Sequence, residues 1–293
     1  MPNTRESSVN SALYPTESEL RNAYEIMKGS PVPSLPKVAL NIEQEMQKKD
    51  VNIARVADMI SQDAAISGLV LKTINSPAFG MGRKFDSIQH ASVLLGLENI
   101  KNLVIASALK HVFDSTEPAV QMIWEDVNAV AQCAVWIASS ISSVAKDEAY
   151  LAGLFHKSGA LLMAKRFSDY DQVLRIAKSD PGRWIEEEER RYGTNHTLIG
   201  FILAESWKLP EIICLTILHH HQESCSEIED EKLRELIATI KAANYILDVI
   251  LLRESTTASN IPEFFGNAIN ELALSSDEIE ALKDQMTEFI FTK

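Results

Sequence analysis

The chain has 293 residues, 46% of them hydrophobic, which is enough for one large domain or two lobes. A net charge of −13 argues against nucleic acid as the main partner, because neutralising phosphates needs a basic face. Cys133, Cys214 and Cys225 make an odd count without a CxxC pair, so reduced thiols are expected, and neither a disulfide framework nor a zinc ribbon.

The opening MPNTRESSVN is polar and lacks the apolar core of a signal peptide, so residues 1–15 read as a loose arm. A first helix is expected from about Glu17 to Met27. Three prolines between Pro31 and Pro36 then make an extended or turning link. Leu35, Val38, Ala39, Ile42 and Met46 follow helical spacing. Asn52 can cap a short helix with Ile53, Val56, Ala57 and Ile60 on one face. The next helix, Ala64 to Ile74, stops at Asn75-Ser76-Pro77, because proline disfavours helix in the residue before it. The asparagine there is expected to satisfy local backbone groups. Ser87 can cap a helix ended by Gly96, and another runs from about Glu98 to Val112.

A boundary is placed near Ser115 to Pro118. Long helices are expected beyond it, at about 119–142, 147–165, 168–179, 183–192, 195–206, 210–222 and 230–254. A loop around Thr256 to Pro262 leads to two more, about 262–270 and 276–290. The longest uncharged run, Val127 to Ala145, contains Asn128, Gln132 and four serines, and so reads as a buried helix and not a membrane span. No sustained period-two alternation is present. The fold class is therefore all-α, in two helical lobes, in a protein expected to be cytoplasmic. The run Glu186 to Arg191, EEEERR, reads as a solvated helix face with i,i+4 pairing. Trp124, Trp136, Trp184 and Trp207 read as core or half-buried anchors.

The stretch LAGLFHKSGALLMA, Leu151 to Ala164, reads as one buried helix in which Ala152, Gly153, Ser158 and Gly159 allow close packing. The polar pair His156-Lys157 in its middle needs an explanation, since polar groups are costly to bury without partners. No Walker motif or GxGxxG is present, and neither Ser76 nor Ser158 lies in a nucleophile-elbow sequence.

Three segments together resemble the HDOD family, a degenerate relative of the HD phosphohydrolases. They are Ile60 to Gly80, Ser87 to Val104 with its helix–LG–helix turn, and a set comprising Trp124, Gly153 to Gly159, EEERRYGTNH ending at His196, and Trp207 to His221. The resemblance covers roughly residues 30 to 225. It divides the chain into an arm and helix (1–29), an HDOD domain (30–225, lobes about 30–115 and 116–225), and C-terminal helices (226–293) completing the HD-like lobe.

HD enzymes hold one or two metals with histidines and aspartates, and the metal lowers the pKa of a bound water to make a nucleophile. Carried over residue by residue, the first histidine falls on Asp126, the His-Asp core on His156 and Lys157, and the last aspartate near Asn244. The resemblance thus implies a degenerate site at Asp126, His156, Lys157, His196, His219, His220 and Asn244, with His221 beside them. A protonated lysine has donors but no acceptor and cannot ligate a metal. Two fates for Lys157 are open: pairing with a carboxylate such as Asp126 in the metal's stead, or snorkelling to solvent. No cofactor is expected. A residual divalent metal would fall to His156, His196 and one of the histidine run, here His220, since adjacent helical residues point about 100° apart. His90 and His111 read as structural.

The resemblance implies a non-catalytic bacterial signal-transduction scaffold acting by protein–protein interaction, with signalling proteins as partners, no nucleic acid, no membrane, and a homo-oligomer left open. Two alternatives stand beside it. One is an HD-type metal-dependent phosphohydrolase with a degraded site. The other is a small-molecule or nucleotide sensor using the inter-lobe cleft, where basic residues such as Arg166, Lys178 and Arg183 offset the acidic balance.

Overall fold

The computed structural model describes residues 13–291, apart from 31, 81, 114, 141–142, 225, 227 and 253–262. The expected arm, the loop from Thr256 to Pro262 and Cys225 therefore lie wholly or largely outside the described residues. Sixteen α-helices and no strand are found among the described residues. Cys133 and Cys214 are free and buried. Among the described residues, no helix is long and apolar enough to cross a membrane.

The first lobe contains α1 (Glu17–Ile26), α2 (Lys37–Met46), α3 (Ile53–Ser61), α4 (Ala64–Ile74), α5 (Ile88–Leu95) and α6 (Leu97–Val112). Side-chain caps set several of its helix starts. Thr16 forms a capping box with Glu19, while Asn52, Asp63 and Ser87 each accept from a first-turn backbone N–H. Asn75 bonds both backbone groups of Phe85 at 2.7 Å, which closes the turn after α4 as expected.

The second lobe contains α7 (Pro118–Ala138), α8 (Lys146–Phe155), α9 (Ser158–Arg166), α10 (Tyr170–Ser179), α11 (Trp184–Tyr192), α12 (His196–Ser206), α13 (Glu211–His219), α14 (Glu231–Leu252), α15 (Glu263–Glu271) and α16 (Ser276–Phe291). The stretch expected as one helix over 147–165 is two, broken at His156-Lys157. The break has a local cause: the His156 ring binds the Gly153 carbonyl at 2.7 Å, and so satisfies an acceptor in the last turn of α8.

Helix α8 packs on α7 and α6, α9 on α12, and α14 on α7, α8 and α13. Polar contacts also tie the lobes together. Ser76 donates to Gln132 at 3.0 Å, Asn102 to buried Asp147 at 2.8 Å, and the Trp207 indole to the Pro33 carbonyl at 2.7 Å. Small residues bring the second-lobe helices close. A Cβ on Gly153 would stand 2.5 Å from Ala131 Cα, and one on Gly159 would collide with the His196 carbonyl oxygen. The backbone at His196 is thereby pressed against the start of α9.

Candidate functional site

Lys157 does not snorkel. It is 8% exposed, and its ammonium donates to the Asp126 carboxylate on α7 and, at 2.8 Å, to Asn244 Oδ1 on α14. It also lies 5.3 Å from the centre of the Trp184 ring. Tertiary packing overturns the solvent-facing alternative, because the break after α8 turns this side chain inward between two helices.

Asn244 is fully used. Its Nδ2 donates to the Ile240 carbonyl at 2.9 Å and faces His156 Nε2 at 3.3 Å. His156 gives its Nδ1 hydrogen to Gly153, since a carbonyl only accepts; Nε2 is therefore the acceptor for Asn244. Burial first, and the nearby Lys157 charge second, push the His156 pKa well below its ordinary value. A carboxylate at 244 could not donate to Ile240, so the amide suits this neutral, hydrogen-bonded arrangement. The residues at the inherited His-Asp position therefore do not fit a metal: an ammonium stands among the would-be ligands.

The histidines divide differently from the sequence expectation. His219 leaves the site, with its Nε2 facing the Leu13 carbonyl at 2.8 Å. His220 caps α13 as His156 caps α8, its Nδ1 on the Ile217 carbonyl at 2.8 Å. His196, first residue of α12, has Nδ1 against Glu188 Oε2 at 2.8 Å and Nε2 3.4 Å from His220 Nε2. The imidazoles of His196, His220 and His221 have ligand atoms all within 4.8 Å of one another. His156 is excluded from this set because Asn244 occupies its free nitrogen, and His221 takes the place expected for it. His90 and His111 are exposed on α5 and α6, and the His90 ring lies 5.4 Å from that of buried Phe85.

Glu188 is the residue that sequence reasoning missed. The EEEERR run is a solvated face only in part: Glu186, Glu189 and Arg190 are exposed, but Glu187 and Glu188 are buried, Glu188 completely. Glu187 pairs with Arg190 and Arg191, which matches the expected spacing. Glu188 instead receives the Tyr170 hydroxyl, the His196 backbone N–H at 2.8 Å and the His196 ring. Burial and the Glu188 charge hold the Tyr170 phenol well above its ordinary pKa, so it remains a donor. One charge run contained both a surface face and a buried anchor, and only the partner helices distinguish them.

Above these residues lies a cavity of about 510 Å³. Its polar lining includes the carboxylates Glu125, Asp126 and Asp248 beside Lys157, Trp184, His220, His221, Lys241 and Asn244, while Met122, Leu174, Leu247, Phe265 and Ile290 form much of its apolar wall. All of these residues belong to the second lobe. The cavity is thus not the inter-lobe cleft expected from sequence, and α15 and α16 help to enclose it. Lys178 stands at this cavity, the one member of the proposed basic patch to do so. Lys241 is buried and donates to the Gln222 carbonyl and, at 3.2 Å, to that of Glu223.

The fold is shared with solved bacterial proteins. An HDOD domain protein from Geobacter sulfurreducens is 27% identical with a TM-score of 0.67, over 94% of this chain and 96% of that one. A Shewanella amazonensis SB2B protein, named as a phosphohydrolase candidate, is 20% identical with a TM-score of 0.65, over 92% and 94%. A Marinobacter aquaeolei VT8 protein, named as a candidate for signal transduction, is 21% identical with a TM-score of 0.65, over 96% and 65%. At 20% and 21% identity, the latter two show the fold alone. The chain spans less than half the length of the curated relatives it matches. The family model of the HDOD domain matches residues 32–223. Since that match takes in the first lobe and runs through the second to the histidine run, the chain belongs to the HDOD family.

Proposed function

We propose that this chain is a non-catalytic regulatory module of bacterial signal transduction, working through protein–protein contacts. The observation that carries the reading is the Lys157 ammonium, held by Asp126 and Asn244 where HD chemistry needs a cation. Hydrolysis of that type depends on a metal-bound water whose pKa the ion has lowered. An ammonium supplies the charge but no open coordination position, so the nucleophile cannot be generated there. The retained charge preserves the packing of α7, α8 and α14 around the pair, and the fold survives as a framework for partners.

Phosphomonoester and phosphodiester assays with added manganese test this directly. The wild-type chain is expected to give no turnover. Metal-dependent hydrolysis that disappears in His156→Ala would overturn the reading.

A second reading, small-molecule sensing, is favoured by the cavity beside Lys157, whose apolar walls and few convergent polar groups suit a small ligand. A thermal-shift screen with nucleotides separates the two, because a ligand that binds the native state raises its apparent stability. A shift that Trp184→Ala abolishes would support sensing. Absence of any shift across the screen would count against nucleotides as the ligand.

A further inference from the structure

We infer that the end of α16 of one copy docks into a hollow on the first lobe of a second copy, so that the chain associates head to tail. This goes beyond the scaffold reading and does not depend on it.

The hollow lies where α3 packs on α5. Val51, Ile53, Ala54, Gln89 and Val93 line it together with Asp50, and it opens to solvent with a volume of about 530 Å³. These apolar side chains stay unburied for a local reason. Val56, Ala57 and Ile60 carry α3 into the core, and Ile88, Ala91 and Ser92 do so for α5. Ile53 and Val93 lie off those faces. Val93 is 62% exposed, and Ile53 and Leu94 are exposed as well. Apolar residues scattered singly over a surface are ordinary, whereas several gathered at one hollow with a charged border point to a contact site.

The other half of the contact is Phe291, the last residue of α16, which is 67% exposed. Helix α16 packs on α7 and α14 through Ile279, Leu282 and Met286, and through the Phe289 ring against Trp136. Phe291 takes no part in that seam. An exposed aromatic ring is the usual kind of anchor for a protein contact, and an open apolar hollow is what such an anchor fills.

Charge decides that these two parts belong together. Residues 30–117 carry nine basic and nine acidic side chains, whereas residues 118–293 carry sixteen and twenty-eight. The stretches that border the hollow, 48–55 and 83–93, hold Lys48, Lys49, Arg55, Arg83 and Lys84 against Asp50 and Asp86. Lys48 and Arg55 share the one carboxylate of buried Glu45, which offsets only one of the two charges. Helix α16 holds Asp277, Glu278, Glu280, Asp284 and Glu288 against Lys283, which pairs with Glu280. Two copies meeting hollow to hollow, or α16 to α16, would bring like charges together. Hollow to α16 brings opposite charges together, and so it is the orientation in which two chains of net charge −13 can approach. The two halves lie on different lobes. Each copy therefore offers one half to each neighbour, and association runs on into rings or open chains. A contact with a single anchor is weak, so it forms with rising concentration.

Sedimentation velocity on the untagged, full-length chain reads this directly. The average mass of wild type is expected to rise with concentration and to fall back as salt is added. Val93→Glu places a carboxylate in the hollow and Phe291→Ala removes the anchor, so each variant alone should stay monomeric. Mixed in equal amounts, the two should form dimers and stop there, because Phe291 of the first still meets the intact hollow of the second. Circular dichroism checks that each variant is folded, and Ile53→Glu takes the place of Val93→Glu if that variant is not. Wild type that remains monomeric up to about 1 mM overturns the inference. Association that survives Phe291→Ala, or that salt strengthens, also overturns it, since the hollow would then be meeting a different surface or none. A mixture of the two variants that yields no dimer has the same consequence.

Discussion

At the scale of single residues, the site is governed by which polar groups are satisfied. Lys157 and Asp126 form a pair whose lysine side chain is 10% exposed and whose aspartate is 31% exposed. Removing one partner of a buried pair costs about 3–5 kcal/mol, and the open edge at Asp126 reduces that to roughly 1–3 kcal/mol here. Lys157→Met should therefore lower the urea midpoint, and a double-mutant cycle with Asp126→Asn should show coupling well above experimental error. Unchanged stability in both variants would mean that the ammonium does not stand in for a metal. The buried histidines give a pH signature. Burial lowers the pKa of His156 and His219 in the folded chain below the ordinary imidazole value of about 6.5. Below that value the unfolded chain takes up protons that the folded chain refuses, so stability should fall as pH drops from about 6.5. Denaturant midpoints between pH 8 and pH 5 would show a decline starting near that point, shallower in His156→Gln.

At the scale of elements, two glycines on different helices make opposite predictions. Gly159 on α9 sits against the backbone of α12, so Gly159→Ala must push the His196 carbonyl away. Overpacking of this kind costs about 1–3 kcal/mol, occasionally more. It should also displace the His196 ring from Glu188. Gly68 on α4 is exposed with open space at its missing Cβ. Gly68→Ala should stabilise by up to about 1 kcal/mol through helix propensity alone. Thermal melts of the two variants should shift in opposite directions. The helices themselves were largely legible: apolar residues at helical spacing and the caps at Asn52 and Ser87 mark their starts, while the Asp63 cap came only with the structure. The break at His156-Lys157 was not, because no proline marks it and the cause is a ring bonding back to Gly153.

At the scale of the whole molecule, α15 and α16 lie outside the segment matched by the family, yet they wall the cavity through Phe265 and Ile290. Phe289 of α16 also stacks edge-on with Trp136, with ring centres 6.1 Å apart. Truncation after Leu252 should expose this apolar wall. A lower melting temperature and increased binding of a hydrophobic dye are expected. An unchanged melt without dye binding would mean that the last two helices are only an appendage to the lobe.

The sequence by itself determined the all-α class and the order of the helices, because these depend on residue type and on spacing along one chain, and the family resemblance carried onto it pointed to a lysine at 157 and an amide at 244 where HD enzymes have carboxylates. It also brought Asp126, His156 and Lys157 forward as one position to inspect. Only the tertiary structure decided that Lys157 turns inward, that Glu188 is a completely buried anchor in a run that also has exposed residues, and that His220 and His221, not His219, join His196. Each of these depends on which helix packs opposite. A local pattern sets the direction of a side chain on its own helix, but the partner across the interface, and so the charge and hydrogen bonds it meets, comes from residues tens of positions away.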